Sequence, residues 1–362
     1  MAGGPTGPAD GGPAPRALPA SRCALGIDVG GTAIKAVLCD ARGALLSSLE
    51  RPTPRDLAGL KTEVGRAVAE LRGRIRSGQV RHRGEDGGAG GPVVDQEDLV
   101  PPVGLAVPGI VREPEGIAVH SANLGWRDLP MRDLMEEELG LPVVLSHDVR
   151  AGAWAEGRWG AGGTDFLYLA IGTGIASVLV LNGSPVDGGG WAGEVGLMPV
   201  PDPDHPGASA RLESVASASA MARRRAAALP GGLEGAPGRA VLCEGSLGVL
   251  RAMEAGDERA ARVWGTALDA LAGLITTGAL LLGPLDVVIG GGLARAGQER
   301  LLTPLRQRVS RRLELVPVPR VLPAALGPWS QALGSAGRAM AAHRGARAAA
   351  GRGPGAPRPG GG

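Results

Sequence analysis

The stretch that most constrains the fold lies near the N-terminus, where an apolar run ends in a carboxylate and two glycines (LGIDVGGTAIK, residues 25–35). A strand that delivers Asp28 at its end and turns at Gly30-Gly31 would expose several backbone N–H groups together. Such a cluster binds anions, phosphate in particular, and Asp28 beside it could hold the Mg²⁺ of a nucleotide. The stretch contains no Walker A pattern. A plain hairpin turn is the alternative interpretation, because Gly-Gly between strands is typical of one.

A second glycine turn repeats this arrangement in the other half of the chain. Apolar runs over residues 166–171 and 175–181 predict two strands joined by Gly172-Thr173-Gly174. Two such halves that face each other could clamp both ends of a triphosphate. A third glycine run, Gly290-Gly291-Gly292, follows a predicted strand over residues 285–289.

The rest of the pattern alternates strands and helices. Predicted strands cover residues 24–28, 33–40, 44–51, 103–107 and 143–145, and predicted helices cover 56–76, 128–139, 211–227, 240–254, 257–281, 297–312 and 329–342. Residues 77–99 contain many glycines and charges, and we expect an inserted flexible loop there. The ends, rich in Gly, Pro and Ala, are expected to be disordered.

Bulk composition excludes several classes of protein. A chain of 362 residues suggests roughly two domains, and a net charge of +2 gives no indication of a nucleic-acid or membrane partner. Three cysteines far apart, with no C-x-x-C, predict a reducing cytoplasm. Residues 1–19 match neither a secretory signal nor an anchor. The apolar stretch 267–282 is interrupted by Asp269 and is short for a bilayer, so it predicts a buried helix.

The motif Asp28-x-Gly30-Gly31-Thr32-x-x-Lys35 resembles the phosphate motif of the ROK family (repressors, open reading frames, kinases), within the actin-like sugar-kinase superfamily. The resemblance extends over about residues 24–342. Further blocks match in the family's order: AVPGIV (106–111), NLGW (123–126), HD (147–148), IGTGI (171–175), GEVG (193–196), LE (212–213) and VIGGG (288–292).

The resemblance implies an α/β fold class with two RNase-H-like (actin-like) lobes and an interdomain cleft. The expected organisation is a disordered tail (1–21), an N-terminal lobe (22–146, with the flexible insertion 77–99), a C-terminal lobe (147–327), a C-terminal helix returning to the N-terminal lobe (328–347) and a disordered tail (348–362).

The cofactors that the resemblance implies are ATP and Mg²⁺. ATP phosphates would lie on Gly30-Gly31-Thr32 and Gly172-Thr173-Gly174, and adenosine near Gly290-Gly291-Gly292. Asp28 would hold Mg²⁺ through the nucleotide. Lys35 could neutralise phosphate, but it could equally face solvent.

Asp148 is the expected catalytic base. Phosphoryl transfer needs an acceptor hydroxyl in line with the γ-phosphate and a carboxylate that takes its proton. A strand ends just before Asp148 and a helix begins there, which also fits a helix N-cap, and the two roles are compatible.

Four residues are expected to bind the hydroxyl groups of the acceptor: Asn123, His147, Glu194 and Glu213. Glycines that flank Glu194 let the backbone approach a ligand, and a carboxylate can accept bonds from two hydroxyls. An amide offers one donor and one acceptor function. A turn asparagine, an exposed loop glutamate and a first-turn helix glutamate are the respective alternatives for Asn123, Glu194 and Glu213.

Three departures from the family bear on the acceptor. Many members have Asn-Asp where this chain has His147-Asp148, and Glu-(Ile/Val)-Gly-His where it has Leu197 at the last position. The family's zinc-binding cysteines would lie at residues 205–213, where no cysteine remains, so we predict no zinc site. Leu197 cannot form a hydrogen bond, which favours a ligand of hexose shape with different polar groups at one edge, such as a C7-cyclitol.

The sequence therefore predicts an ATP-dependent kinase that phosphorylates a primary hydroxyl of a sugar or cyclitol. The narrower prediction is a C7-cyclitol 7-kinase of natural-product biosynthesis. A glucokinase or another hexose or N-acetylhexosamine kinase is one alternative, and a non-catalytic sugar-binding regulator is another. A repressor is disfavoured, because about twenty breaker-rich residues precede the first strand. The expected partner is a small polyol acceptor, with no nucleic acid or membrane, and a homodimer is left open.

Overall fold

The structure is a computed structural model that describes residues 21–84, 88, 90–121 and 124–350. The predicted acceptor residue Asn123 and nearly all of the two predicted disordered tails lie outside these residues.

The elements alternate along the chain and build two sheets of similar topology. The first half contains β1 (Cys23–Val29), β2 (Ala33–Asp40), β3 (Leu45–Pro52), α1 (Leu57–Arg76), β4 (Val103–Val107), β5 (Ile110–Arg112), β6 (Ile117–Ser121), β7 (Trp126–Leu129), α2 (Met131–Leu139), β8 (Val143–His147) and α3 (Asp148–Trp159).

The second half contains β9 (Phe166–Ile171), β10 (Ile175–Leu181), β11 (Ser184–Pro185), β12 (Pro199–Pro201), β13 (Ser209–Arg211), α4 (Leu212–Ala216), α5 (Ala218–Ala227), α6 (Ala236–Glu254), α7 (Glu258–Leu282), β14 (Asp286–Gly290), α8 (Thr303–Ser310), β15 (Val321–Pro323) and α9 (Ser330–Ala350).

Each large sheet joins an antiparallel hairpin to parallel strands. The first has the strand order β3-β2-β1-β4-β8, with β1 antiparallel to β2 and parallel to β4. The second has the order β11-β10-β9-β14-β15, with β9 antiparallel to β10 and parallel to β14. The repeated hairpins carry the two glycine turns that the sequence singles out, so both turns lie at corresponding places in the two halves.

The first sheet is covered on one face by α1 and on the other by α9. Helix α1 has the predicted apolar spacing, and its Leu60, Val64 and Leu71 are buried in the core with β1. Asp56 caps this helix by accepting the backbone N–H of Gly59 at 2.8 Å.

Helix α9 lies so close to the first sheet that two strand positions must be glycine. A Cβ atom at Gly26 would lie 2.0 Å from the Ala332 carbonyl oxygen, and one at Gly104 would lie 2.0 Å from that of Ser335. The same helix packs on α3, where a Cβ at Gly334 would lie 1.8 Å from the Ala151 carbonyl oxygen. The C-terminal helix therefore joins the first sheet to α3.

Helix α7 forms the centre of the second core. Among the described residues it is the one helix long and apolar enough, by length and composition, to cross a membrane. Our expectation that its apolar stretch is short for a bilayer was wrong, since the helix begins at Glu258. Trp264, Leu271 and Ile275 are nevertheless buried in the second core, as predicted.

Several boundaries differ from the sequence-based expectations. The predicted helix over residues 211–227 is divided at Ser217, whose hydroxyl accepts the backbone N–H of Ala220 at 3.0 Å and so starts α5. Helix α9 continues to Ala350, past its predicted end at 342. The predicted flexible insertion, residues 77–99, is ordered where it joins the fold. Val80 and Val94 are buried there and are joined by a backbone hydrogen bond.

Candidate active site

The first glycine turn forms hydrogen bonds within the β1–β2 hairpin and also with Thr53. Gly30 N–H donates to the Ala33 carbonyl at 2.9 Å, and Asp28 pairs with Lys35 across the strands. Thr53, at the end of β3, donates its hydroxyl to the Gly30 carbonyl at 2.7 Å and its N–H to the Thr32 carbonyl at 3.0 Å. The turn is therefore a hairpin tied to Thr53, as the hairpin interpretation expects, and phosphate binding at this turn stays a prediction.

The second glycine turn opens onto a cavity of about 630 Å³, within the range of ordinary ligand sites. Gly172 and Thr173 line this cavity together with Gly292 and with α5 and α6. Helix α6 is interrupted at Gly245, which has φ 63° and also lines the cavity. The predicted phosphate turn and the predicted adenosine glycines thus border one space.

The third glycine run shares a cavity of about 540 Å³ with Asp28 and Lys35, which lie on the two strands of the first hairpin. Its wall includes Asp28, Lys35, Tyr168 and the three residues Gly290-Gly291-Gly292. Gly290 lies against the Tyr168 ring, where a Cβ would come within 2.2 Å of the phenol oxygen. Residues from both sheets therefore line this cleft.

Lys35 is already engaged by the loop before α9. Its ammonium group donates to the Pro328 carbonyl at 3.0 Å and lies 5.9 Å from the centre of the Trp329 ring. The Lys35 side chain thus lines the cleft and points to the segment that leads into the C-terminal helix, and its contact with phosphate stays a prediction.

Asp148 is the first residue of α3, and the residue that caps this helix is His147. The N-cap alternative for Asp148 was therefore wrong. Asp148 Oδ1 accepts the Val149 N–H at 2.7 Å, and His147 Nε2 lies 3.2 Å from the same oxygen. The Asp148 side chain is 24% exposed, so a ligand can reach it.

A line of carboxyl groups runs from the first turn past Asp148 to α4. Burial, followed by the charge of Asp148, raises the pKa of Asp28 to about 7, while Lys35 opposes this. Burial also raises the pKa of Glu194, with smaller contributions from Asp148 and Glu213. Glu213 lies beside the second turn, where a Cβ at Gly174 would be 3.0 Å from its Oε2. Asp28, Asp148, Glu194 and Glu213 are therefore linked as neighbours by the charges that they exert on one another.

These carboxylates fit the kind of metal that the sequence implies. Mg²⁺ in nucleotide sites is usually bound by one or two carboxylates, with phosphate oxygens and water as the other ligands. Asp28 and Asp148 offer such oxygens, and the mutual charge that raises the pKa of Asp28 would be relieved by a cation. In the described part of the chain, no group of three or more His, Cys, Asp and Glu side chains is placed to hold a metal on its own.

The segment where the sequence analysis expected no zinc site lies in and after a short hairpin of β12 and β13. His205 Nδ1 lies 3.0 Å from Asp202 Oδ2, and Asp204 binds the Arg224 guanidinium at 2.6 Å. One ion pair thus lies within the loop, and the other joins the loop to α5.

An ionic network beside the 147–150 segment was not predicted from the sequence. Glu113, which follows β5, accepts the His147 backbone N–H and the Arg150 Nε–H, both at 2.8 Å, and the Arg338 guanidinium at 2.5 Å. Arg150 is 2% exposed and also donates to the Val111 carbonyl at 2.8 Å. The arginines keep the pKa of Glu113 low against the opposing effect of burial. The sequence shows only that these residues are ionisable. It cannot show that they meet, because they lie far apart along the chain.

Comparisons with known proteins agree with this arrangement. A model of the ROK family matches residues 93–342, which is more than half of the chain. Glucokinase of Halalkalibacterium halodurans is 32% identical over 311 residues, which cover 82% of this chain and 87% of that protein. N-acetylmannosamine kinase of Escherichia fergusonii is 28% identical over 275 residues, covering 75% of this chain and 84% of that protein.

A solved structure supports the same conclusion. The crystal structure of a ROK family glucokinase from Streptomyces griseus in complex with glucose and AMPPNP is 28% identical and covers 88% of this chain and 99% of its own, with a TM-score of 0.68. The expected α/β fold with two actin-like lobes is confirmed by this similarity and by the repeated sheets. Sequence motifs, topology and relatives all agree, and the chain belongs to the ROK family.

Proposed function

We propose that this protein is an ATP-dependent carbohydrate kinase, which transfers the γ-phosphate of ATP to a hydroxyl group of a sugar or a sugar-like polyol. The observation that carries the proposal is the position of Asp148, a partly exposed carboxylate at the start of α3 whose charge acts on Asp28 in the cleft that Gly290-Gly291-Gly292 also lines. The names of the relatives support the same class of enzyme, since they include glucokinases and N-acetylmannosamine kinases.

Each group then has a role in the reaction. The turns Gly30-Gly31-Thr32 and Gly172-Thr173-Gly174 bind the phosphates through backbone N–H groups, and Gly290-Gly291-Gly292 borders the adenosine. Mg²⁺, when bound near Asp28, would neutralise charge on the phosphates. Asp148 accepts the proton of the attacking hydroxyl. Glu194 and Glu213 bind other hydroxyl groups of the acceptor and so orient it.

The lobe bounds are part of this proposal. An N-terminal lobe (22–146), a C-terminal lobe (147–327) and a returning helix (328–347) are supported by the two large sheets and by the packing of α9 on the first one. A cytoplasmic location is supported by free thiols at Cys23, Cys39 and Cys243. A homodimer stays a prediction.

The Asp148→Asn variant tests the assignment of the base. We expect turnover to fall by a factor of about 1,000 or more, while the affinity for an ATP analogue changes by less than about threefold. Asp165→Asn is the matched control. Asp165 is an exposed residue just before β9, at the end of the strand away from the glycine turn, and its Oδ1 accepts the Asn182 N–H at 2.8 Å. Undiminished turnover in the Asp148 variant would remove this residue as the base.

A C7-cyclitol is the narrower acceptor that we propose. Leu197 supports it, since this side chain is 50% exposed beside Glu194 and offers no hydrogen bond where many ROK proteins have a histidine. An ADP-release screen over hexoses, N-acetylhexosamines and C7-cyclitols decides the matter. Activity on glucose far above that on every cyclitol would refute the narrow form and support the glucokinase alternative. ADP release with none of these acceptors would favour a non-catalytic sugar-binding protein instead.

A further inference from the structure

The two cavities of the candidate site meet at one short helix. A 3-10 helix, Gly292–Ala296, follows the third glycine run. Gly292 and Arg295 line both the second-turn cavity, of about 630 Å³, and the Asp28 cavity, of about 540 Å³. Because glycine has no side chain, Arg295 provides the one side chain that borders both cavities in the part of the chain that the structure describes.

The position of this short helix is fixed by Gly291 and by the second core. Gly291 has φ 79°, and a Cβ atom there would lie 2.5 Å from the Ile171 carbonyl oxygen, so its backbone packs directly on the end of β9, just before Gly172. Leu293 is 2% exposed and belongs to the second core. The short helix therefore holds Arg295 beside the second glycine turn.

The guanidinium group of Arg295 is free to bind a ligand. The residue is exposed, and its guanidinium forms no hydrogen bond or ion pair with any described residue. Lys35, the other cation of the Asp28 cavity, already donates to the Pro328 carbonyl at 3.0 Å. Arg223, on α5, also has no partner among the described residues, but it lines the second-turn cavity alone.

A phosphate chain that extends through both cavities needs a cation where they meet. Under the proposed function, the second glycine turn binds phosphates and Asp28 lies near their Mg²⁺, so the phosphate chain passes from one cavity into the other beside Arg295. A guanidinium group offers N–H donors in a planar fork that matches two phosphate oxygens. Such a fork would neutralise phosphate charge that Mg²⁺ leaves uncompensated.

We propose that Arg295 binds the phosphate groups of the nucleotide at the junction of the two cavities. This inference deepens the proposed function and rests on it, because it names a side chain that recognises the phosphate chain of the donor. It also predicts what this side chain does not do: adenosine, which has no phosphate, binds without a contribution from Arg295.

Equilibrium binding tests the assignment without turnover. We expect Arg295→Ala to raise the Kd of the Mg²⁺ complex of AMPPNP about tenfold to a hundredfold, because charge-assisted hydrogen bonds to phosphate are lost. The Kd of adenosine should change less than about twofold. Arg295→Lys keeps the charge but loses the fork, so its Kd for AMPPNP should lie between those of the parent and of the alanine variant.

Two other arginines provide a comparison and a control. Arg223→Ala removes the same charge from the second-turn cavity but not from the junction, and we expect its Kd for AMPPNP to rise less than about threefold. Arg262 is an exposed residue of α7 that lines neither cavity, and its guanidinium has no partner among the residues described. Arg262→Ala should therefore bind both ligands as the parent does. Thermal unfolding of each variant checks that the fold is kept.

Three outcomes would overturn the inference: an unchanged Kd for AMPPNP in Arg295→Ala, an equal loss of affinity for adenosine and AMPPNP in that variant, or an equal loss for AMPPNP in Arg223→Ala. The second outcome would place Arg295 against the adenine ring or the ribose instead. If the parent binds AMPPNP but transfers phosphate to no acceptor, the proposed function fails while the assignment of Arg295 stands. A parent protein that does not bind AMPPNP would overturn both.

Discussion

Asp28 should destabilise the ligand-free protein, and Asp28→Asn should therefore stabilise it. The carboxyl group lies at the end of β1, where it is 8% exposed. Burial and the neighbouring Asp148 raise its pKa from 3.8 to about 7, although Lys35 opposes the shift. In the unfolded chain this carboxyl group ionises at its ordinary pKa. Above pH 4, folding therefore has to bury a group that is already ionised, and this costs free energy.

The magnitude follows from the size of the shift. A difference of about three units, at about 1.36 kcal/mol per unit, sets an upper limit of about 4 kcal/mol on the cost. Because the pKa is higher in the folded state, no stability is lost below pH 4. The free energy of unfolding falls as the pH rises from 4 to 7, and the loss is complete above pH 7. The asparagine variant lacks the ionisable group and escapes this loss.

Urea unfolding at pH 8 and pH 4.5 measures the effect. We expect Asp28→Asn to exceed the parent by up to about 4 kcal/mol at pH 8 and by about 1 kcal/mol at pH 4.5. Saturating Mg²⁺ and an ATP analogue should stabilise the parent more than the variant, since the ligand binds the carboxylate form. A variant less stable than the parent at pH 8, or a gain that is equal at both pH values, would refute the reasoning.

Asp40→Asn is a control of opposite sign on the neighbouring strand. Asp40 is also buried, but its Oδ1 accepts the backbone N–H groups of Arg42 and Ala44, both at 2.9 Å. Its replacement weakens two charge-assisted hydrogen bonds, so we expect a loss of about 1 kcal/mol at pH 8.

Gly104→Ala should cost more than about 3 kcal/mol by urea unfolding, because the new Cβ would lie 2.0 Å from the Ser335 carbonyl oxygen on α9. Glu113→Gln should cost about 3–5 kcal/mol in the same assay, since it leaves the guanidinium groups of Arg150 and Arg338 without their shared carboxylate. Metal analysis of the purified protein should find no stoichiometric zinc. Small-angle scattering with an ATP analogue and acceptor together should show a more compact particle, because the cleft must exclude water during transfer, and an unchanged profile would count against closure.

The opening hairpin could be predicted from the sequence because its determinants are local. A continuous apolar run predicts β1 and an alternating pattern predicts β2, and the glycines between them favour the turn across which Asp28 pairs with Lys35. The position of Asp148 after a strand was predictable for the same reason. These features depend on neighbours within about ten residues, where periodicity and turn chemistry suffice.

The surroundings of Asp148 could not be predicted in this way. N-cap preferences favour aspartate over histidine, so the sequence suggested the wrong capping residue at the 147–148 step. The Glu113–Arg338 contact joins residues 225 positions apart, and no local pattern specifies such a pair. The buried Val80 and Val94 were hidden within a segment whose composition resembles a linker. Tertiary packing decides these features.

The packing of α9 on the first sheet has a consequence for synthesis on the ribosome. One face of that sheet is covered by Ala332, Leu333 and Ala336, which pack with Ala24 and Val37 from the start of the chain. These covering residues are translated about three hundred positions after the strands they cover. Until α9 has been made, the nascent first lobe therefore exposes the apolar, glycine-containing face that this helix later covers. The first lobe can thus complete its core only after α9 has been made.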